Sequence, residues 1–192
     1  MQLPDGPFRF IALDVETASR EAGSICQIGL GCVRPDGGIE TFATYVNPQQ
    51  PFAPFNTDLH GIGPGTVAGA PTFPEAWAVL FDLLNRHHLV QHSSFDQKAI
   101  EAACRVHGLE RPELSWSDSV KIARRAWPEF KGNGGHGLGH LKTALGLDFR
   151  HHDAGEDARA AAEVVLRAEK RLRLEFHQIA VTRYKAQIKL PL

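Results

Sequence analysis

Two carboxylates, Asp14 and Glu16, close the stretch Phe-Ile-Ala-Leu-Asp-Val-Glu-Thr. The four residues before them are apolar and β-rich, the pattern of a buried strand. Alternate strand residues share a face, so the two acids lie side by side against apolar core. Unpaired, they would repel each other and resist desolvation. Two further acids stand in informative places. Asp96, in Ser-Ser-Phe-Asp-Gln-Lys, falls in the first turn of a helix leaving a strand end. Asp157, in His-His-Asp-Ala-Gly-Glu-Asp-Ala-Arg, falls in the first turn of an Ala-rich helix. Singly, a first-turn aspartate does no more than complement the positive helix terminus, and Asp-x-Glu is a common triplet. Together the four can converge above one sheet, where few basic residues stand to offset them. Hard oxygen donors suit Mg²⁺ or Mn²⁺. Two such ions about 3.5–4 Å apart form the recurrent device for phosphodiester hydrolysis.

The elements that must position these acids are legible along the chain. Strands are expected over residues 8–15, 24–33 and 39–46, the last two joined through Arg34-Pro35-Asp36-Gly37-Gly38 as an antiparallel hairpin. Residues 48–74 are rich in Pro and Gly and form a surface excursion, with a short helix at 56–60. Residues 73–86 are helical, with Trp77, Leu80, Phe81 and Leu84 on one core-facing stripe. A short strand at 89–92 leads to a helix capped by Ser94, with Gln97 completing a capping box, that runs to Val106 and stops at Gly108. A last strand and the start of another helix lie at 116–120, and a further helix lies at 138–145. Asp153 and Glu156 have capping-box spacing ahead of a helix that reaches Phe176. Three strands in series, then strands alternating with helices, predict a mixed α/β sheet.

The ordered set Asp14-x-Glu16-Thr17, Phe95-Asp96 and His152-x-x-x-x-Asp157 resembles the DEDDh branch of DnaQ-like 3′–5′ exonucleases, over residues 8–176. Ser-Ile-Cys-Gln-Ile-Gly-Leu-Gly resembles that family's second strand, and Leu-His-Gly-Ile at 59–62 its substrate-side segment. The resemblance implies an α/β ribonuclease-H-like fold, a mixed five-stranded sheet flanked by helices. It implies one exonuclease domain at 1–176, with 177–192 a basic C-terminal extension rather than a second domain. Two divalent cations, Mg²⁺ or Mn²⁺, are implied as cofactors. Asp14, Glu16 and Asp157 would hold the first; Asp14 would also touch the second, with Asp96 in support directly or through water. His152 would be the general base. His151 adjoins it, but the spacing to Asp157 favours His152 under the family pattern. Thr17 would meet the terminal nucleotide, His60 and Ile62 would pack on its base, and Phe95 would stand on the same substrate side. The implied partner is the single-stranded 3′ end of a nucleic acid, DNA favoured, from which nucleoside 5′-monophosphates are released. A polymerase or a second copy of the chain is the further partner to test. The family commonly has His-Asn-Ala-x-Phe-Asp at its second motif; here the run is Gln91-His92-Ser93-Ser94-Phe95-Asp96.

Two other functions stand beside this one. An exoribonuclease or oligonucleotide nuclease would need a contact to the 2′-OH. A catalytically silent nucleic-acid or polymerase-binding module would not need to keep all four acids and His152, and retaining such repulsion without metal is costly.

The rest of the chain narrows the field. At 192 residues it makes one domain of ordinary size. With 21 basic against 22 acidic residues there is no overall basic field, so any nucleic-acid contact is local. Three cysteines without a Cys-x-x-Cys pair argue against a disulfide framework or a cysteine zinc site. With no secretory leader and no apolar run of spanning length, a soluble cytoplasmic protein without membrane contact is expected. Gly132, Gly134 and Gly137 spell G-x-G-x-x-G, but no strand precedes them and no βαβ unit follows, which rejects dinucleotide binding. His136 and His140 have metal-ligand spacing on a scaffold too rich in glycine to hold it. Lys170, Arg171, Arg173, Arg183, Lys185 and Lys189 form a basic stretch that fits either phosphate tracking or a solvated helix face.

Overall fold

The computed structural model describes residues 2–180. Five strands, β1 (Phe10–Thr17), β2 (Ile25–Val33), β3 (Ile39–Tyr45), β4 (Leu89–Gln91) and β5 (Trp116–Asp118), form one sheet in the order β3-β2-β1-β4-β5. The β1–β2 and β2–β3 pairs are antiparallel, and β1–β4 and β4–β5 are parallel. The helices are α1 (Pro54–His60), α2 (Pro64–Val67), α3 (Phe73–Asn85), α4 (Phe95–Val106), α5 (Ser119–Ala126), α6 (Leu138–Leu145), α7 (Ala154–Leu172) and α8 (Phe176–Ile179). This is the mixed five-stranded sheet flanked by helices that the sequence predicts. No helix among the described residues is long and apolar enough to cross a membrane.

Strand alternation decides where the acids point. Ile11, Leu13 and Val15 enter one core with Leu80 and Leu84 of α3 and Ile100 of α4. Phe10 and Ala12 enter the other, with Ile122 of α5 and Ala161 and Val165 of α7. Asp14 and Glu16 continue the Phe10–Ala12 face, so they project to the α7 side of the sheet. The strand runs two residues past the predicted end, pairing Asp14 with Gly29 and Glu16 with Gln27. A third, smaller cluster of Ala18, Cys26, Ile62 and Val67 seats the 48–74 excursion against the end of β1.

The N-terminal turn of α7 lies directly on β2. A Cβ added at Gly29 would stand 2.0 Å from the Ala154 carbonyl, and one at Gly31 would stand 2.8 Å from the Ala158 oxygen. Only glycine fits while backbone meets backbone so closely. Gln27, two residues along on the same face, accepts the Ala154 N–H through Oε1 at 3.1 Å and fixes the helix start. Gly29→Ala should therefore destabilise the fold by about 1–3 kcal/mol, as overpacking does, and should reduce activity by displacing Asp157. Gly65 faces open space, so Gly65→Ala should stay within about 0.5 kcal/mol of the parent. Urea denaturation of the two variants checks both statements.

Several boundaries differ from expectation. Ser94 makes no side-chain cap. Gln97 is taken instead by Gln91, whose Oε1 accepts the Gln97 N–H at 2.9 Å, so the expected capping box does not form. Asp153 does cap α7, accepting from Gly155 and Glu156 N–H at 3.2 and 3.3 Å. The reciprocal half is absent because Glu156 pairs with Arg159 at 2.8 Å. α7 stops at Leu172 rather than Phe176, because Arg173 takes a left-handed conformation with φ 53°. Ser24 belongs to the loop before β2, donating through Oγ to the Glu21 carbonyl at 2.6 Å. The expected C-terminal extension begins within α8; residues 181–192, with Arg183, Lys185 and Lys189, lie outside the described residues. Of the basic stretch that is described, Arg171 pairs with Glu129 at 2.7 Å.

Candidate active site

An open cleft of about 560 Å³ lies where β1 and β4 end, lined by Asp14, Glu16, Thr17, Phe95, Asp96, His152 and Asp157 among others. Carboxyl ends of neighbouring parallel strands are where open α/β sheets place ligands. Asp14, Glu16 and Asp157 each bring an oxygen within 4.8 Å of the other two. Glu16 and Asp157 are only 8 % and 5 % exposed. Asp157 accepts the His152 backbone N–H on Oδ2 at 2.9 Å, while its Oδ1 is buried with no hydrogen-bond partner. Asp96 stands apart from this trio in the same cleft. Its Oδ1 accepts the Val15 N–H at 3.1 Å, tying the start of α4 to the end of β1.

Burial is the first cause of every perturbation here. Together with the charges of Asp96, Asp157 and Glu16, it raises the Asp14 pKa well above the carboxylate range. Burial and the Asp157 charge push Glu16 up to about 8. Burial pushes Asp96 up to about 7, against the Val15 N–H that favours its anion. Asp157 rises to about 6 by burial, against the His152 N–H. Raised pKa values favour the protonated acids, and positive charge nearby would reverse that. Three clustered hard oxygens and an orphaned buried Oδ1 fit a divalent cation such as Mg²⁺ or Mn²⁺, which would supply that charge.

His152 lies outside α7, one residue before the Asp153 cap, in a left-handed conformation with φ 66°. That backbone turn is uncommon for a residue with a Cβ. It directs the backbone N–H at Asp157 and leaves the ring on the cleft wall. Burial and the neighbouring His151 lower the His152 pKa, against the Asp157 charge. That direction favours the neutral imidazole, which keeps one ring N–H and leaves the other nitrogen able to accept a proton.

On the substrate side the structure separates residues that sequence reasoning grouped. Thr17 and Phe95 line the cleft, and Phe95 is 45 % exposed. His60 and Ile62 do not line it. His60 is buried; its Nδ1 accepts the Ile62 N–H at 3.0 Å, so its Nε2–H donates to the Thr17 carbonyl at 3.1 Å. Ile62 packs into the small third cluster. Both buttress the Thr17 turn from behind, which corrects their expected contact with a base. Asn56 joins them, donating to the Thr17 carbonyl at 2.9 Å. The exposed apolar surfaces are Phe55 and Leu59, at 73 % and 43 %. Sequence reasoning passed over Phe55 and Asn56; α1 begins at Pro54, earlier than read, and its first turn carries both. His92 lines the cleft as a strut, with Nε2 donating to the His136 carbonyl at 3.0 Å and Nδ1 on Ser119 Oγ at 2.8 Å. Burial lowers its pKa to about 4, so the ring is neutral. His136 is held by its Nε2, which donates to the Trp127 carbonyl at 2.8 Å.

The exonuclease family model RNase_T matches residues 11–165. The DNA polymerase III PolC-type of Bacillus cereus is 29 % identical over 165 residues, covering 84 % of this chain and 11 % of that protein. This chain thus spans about a tenth of the length of that curated relative. Among solved structures, exonuclease X in complex with 5′ overhanging duplex DNA superposes with a TM-score of 0.71 at 23 % identity, covering 89 % of this chain and 97 % of that one. The nuclease domain of 3′hExo, a DEDDh family member bound to rAMP, gives a TM-score of 0.69 at 20 % identity, covering 87 % and 94 %. These two likenesses are of fold.

Proposed function

Because the chain belongs to the RNase_T exonuclease family, we propose that it removes nucleoside 5′-monophosphates one at a time from the 3′ end of a single strand, DNA in preference to RNA. The observation that carries this reading is the trio Asp14, Glu16 and Asp157, with Asp157 Oδ1 buried and unpartnered among them. Two divalent cations, Mg²⁺ or Mn²⁺, held by the trio with Asp96 in support, would supply positive charge against the phosphate and the departing oxygen. His152 takes a proton from the attacking water through its free ring nitrogen. The water oxygen bonds to phosphorus, the bond to the 3′ oxygen of the preceding nucleotide breaks, and that oxygen leaves and takes a proton from solvent to become a hydroxyl. Asp96 holds the β1 backbone at Val15 so that Asp14 and Glu16 keep their places. Thr17, its carbonyl held by His60 from behind and by Asn56 from the cleft wall, borders the pocket for the terminal nucleotide. Leu59, Phe55 and Phe95 offer apolar faces on which a base can stack. Residues 1–176 serve as the exonuclease unit.

A strand blocked by a 3′-phosphate, and a closed circle, should each resist digestion, while a blocked 5′ end should not matter. Gel analysis of end-labelled strands with a Mg²⁺ supply and a chelator control reads this directly. Rapid cutting of the circle would show an endonuclease instead. The relative from Bacillus cereus is a DNA polymerase, which supports DNA as substrate and proofreading beside a polymerase as the setting. The rAMP in the 3′hExo structure supports an exoribonuclease as the second reading. Matched DNA and RNA strands in the same assay separate the two.

A further inference from the structure

His151 and His152 stand side by side at the cleft, with ring centroids 4.0 Å apart. No described residue hydrogen-bonds either ring; the nearest carboxylate approach is His151 Nε2 to Asp157 Oδ2 at 4.0 Å. With Asp157 the two rings offer two nitrogens and one oxygen, all within 4.8 Å of one another. Asp157 is 5 % exposed, its Oδ2 is engaged by the His152 N–H, and its buried Oδ1 is left without a partner. An outer hydrogen bond of that kind is what orients a ligating carboxylate.

This donor set differs in kind from Asp14, Glu16 and Asp157, which is oxygen only. Imidazole is a borderline donor that favours Zn²⁺ and its neighbours, whereas carboxylates alone suit Mg²⁺ and Mn²⁺. Zinc binds nitrogen at about 2.0–2.1 Å and carboxylate oxygen at about 2.0–2.2 Å, so tetrahedral donors lie roughly 3.3 Å apart. The His151 side chain is 38 % exposed, and rotation of its ring would narrow the remaining gap.

We propose that His151, His152 and Asp157 form a binding site for a borderline divalent cation of the Zn²⁺ type, and that its occupation silences the nuclease. Such an ion withdraws Asp157 from the all-oxygen set and occupies the ring nitrogen with which His152 accepts a proton. The silencing rests on the nuclease activity proposed above; the binding does not.

The test uses the whole chain in millimolar Mg²⁺, so that sites made of carboxylates alone are already competed for. Zn²⁺ is offered from a chromogenic chelator without nucleic acid. The parent should take up one equivalent, and His151→Gln should bind about tenfold more weakly or worse. Micromolar Zn²⁺ should arrest Mg²⁺-driven digestion by the parent. The midpoint of that arrest should rise by the same factor in His151→Gln, which keeps most of its Mg²⁺ activity. No uptake by the parent, or equal uptake and equal arrest in the variant, overturns the proposal. Uptake that depends on His151 in a protein that digests no strand would uphold the cation site and overturn both the silencing and the nuclease reading.

Discussion

Asp14→Asn or Asp157→Asn is expected to slow strand digestion by about 10³-fold or more while leaving the fold intact. Each change removes one anionic oxygen from a trio packed within 4.8 Å, and several kcal/mol of charge stabilisation in the transition state corresponds to that factor. Excess Mg²⁺ or Mn²⁺ should recover little, since the lost donor is structural to the site. Full Mg²⁺-dependent activity in both variants would refute the assignment. A second readout needs no substrate. Glu16 titrates near 8 in the folded chain against 4.5 unfolded, and Asp157 near 6 against 3.8. A carboxylate with a raised folded pKa binds its proton more tightly when folded. Its contribution is therefore best below the unfolded pKa and is lost as pH climbs through the folded one. In chelator, thermal stability should decline from about pH 4 to pH 8 through this cluster. Asp14→Asn removes one of the carboxyls whose pKa burial raises and should make the decline shallower. Melting curves of the parent and variant across that range, in EDTA, decide it.

His152→Ala is expected to lose about 10²–10⁴-fold in rate, the range of a positioned general base, while still binding the cation and the strand end. Five residues along a continuous helix would turn His152 about 500° from Asp157, away from its face. The Asp153 cap avoids that by starting α7 one residue later, and the left-handed turn at His152 brings the residue back over the acids. His151→Ala should cost far less, because the ring carries no part of the proton transfer. The residual rate of His152→Ala should rise with pH, as solvent hydroxide replaces the missing base. A crippled His151→Ala beside a near-normal His152→Ala would move the base by one residue.

The parts of this site that follow a local period were readable in the chain. Asp14 and Glu16 share a face because strand alternation requires it. The Asp153 cap needs only its own side chain and the two N–H groups after it. Other features depend on contacts that no local pattern encodes. Gln97 fits a capping box with Ser94, yet Gln91 from the preceding strand claims it. Arg173 ends α7 without the glycine that usually marks such a stop. The Leu-His-Gly-Ile segment was recognisable, but which of its side chains face outward was not. His60 turned inward because the Thr17 carbonyl and the Ile62 N–H occupy both its nitrogens, and Leu59 and Phe55 were left exposed. Gly29 and Gly31 of β2 carry no side chain, so nothing in the local pattern said what packs on them. That the approaching backbone is the first turn of the helix carrying Asp157 became visible only in three dimensions.

If a cation binds as proposed, that contact between bare β2 backbone and the start of α7 would give the nuclease a built-in form of quality control. Asp14 and Glu16 ride on the sheet and Asp157 on the helix, so a cation gripping all three would rivet the two layers together. An ion that binds only the seated arrangement adds about 2.7 kcal/mol at a hundredfold excess over its Kd. A chain starved of cation would then be both unable to cut and easier to unfold, and the idle molecule would be the one most open to proteolysis.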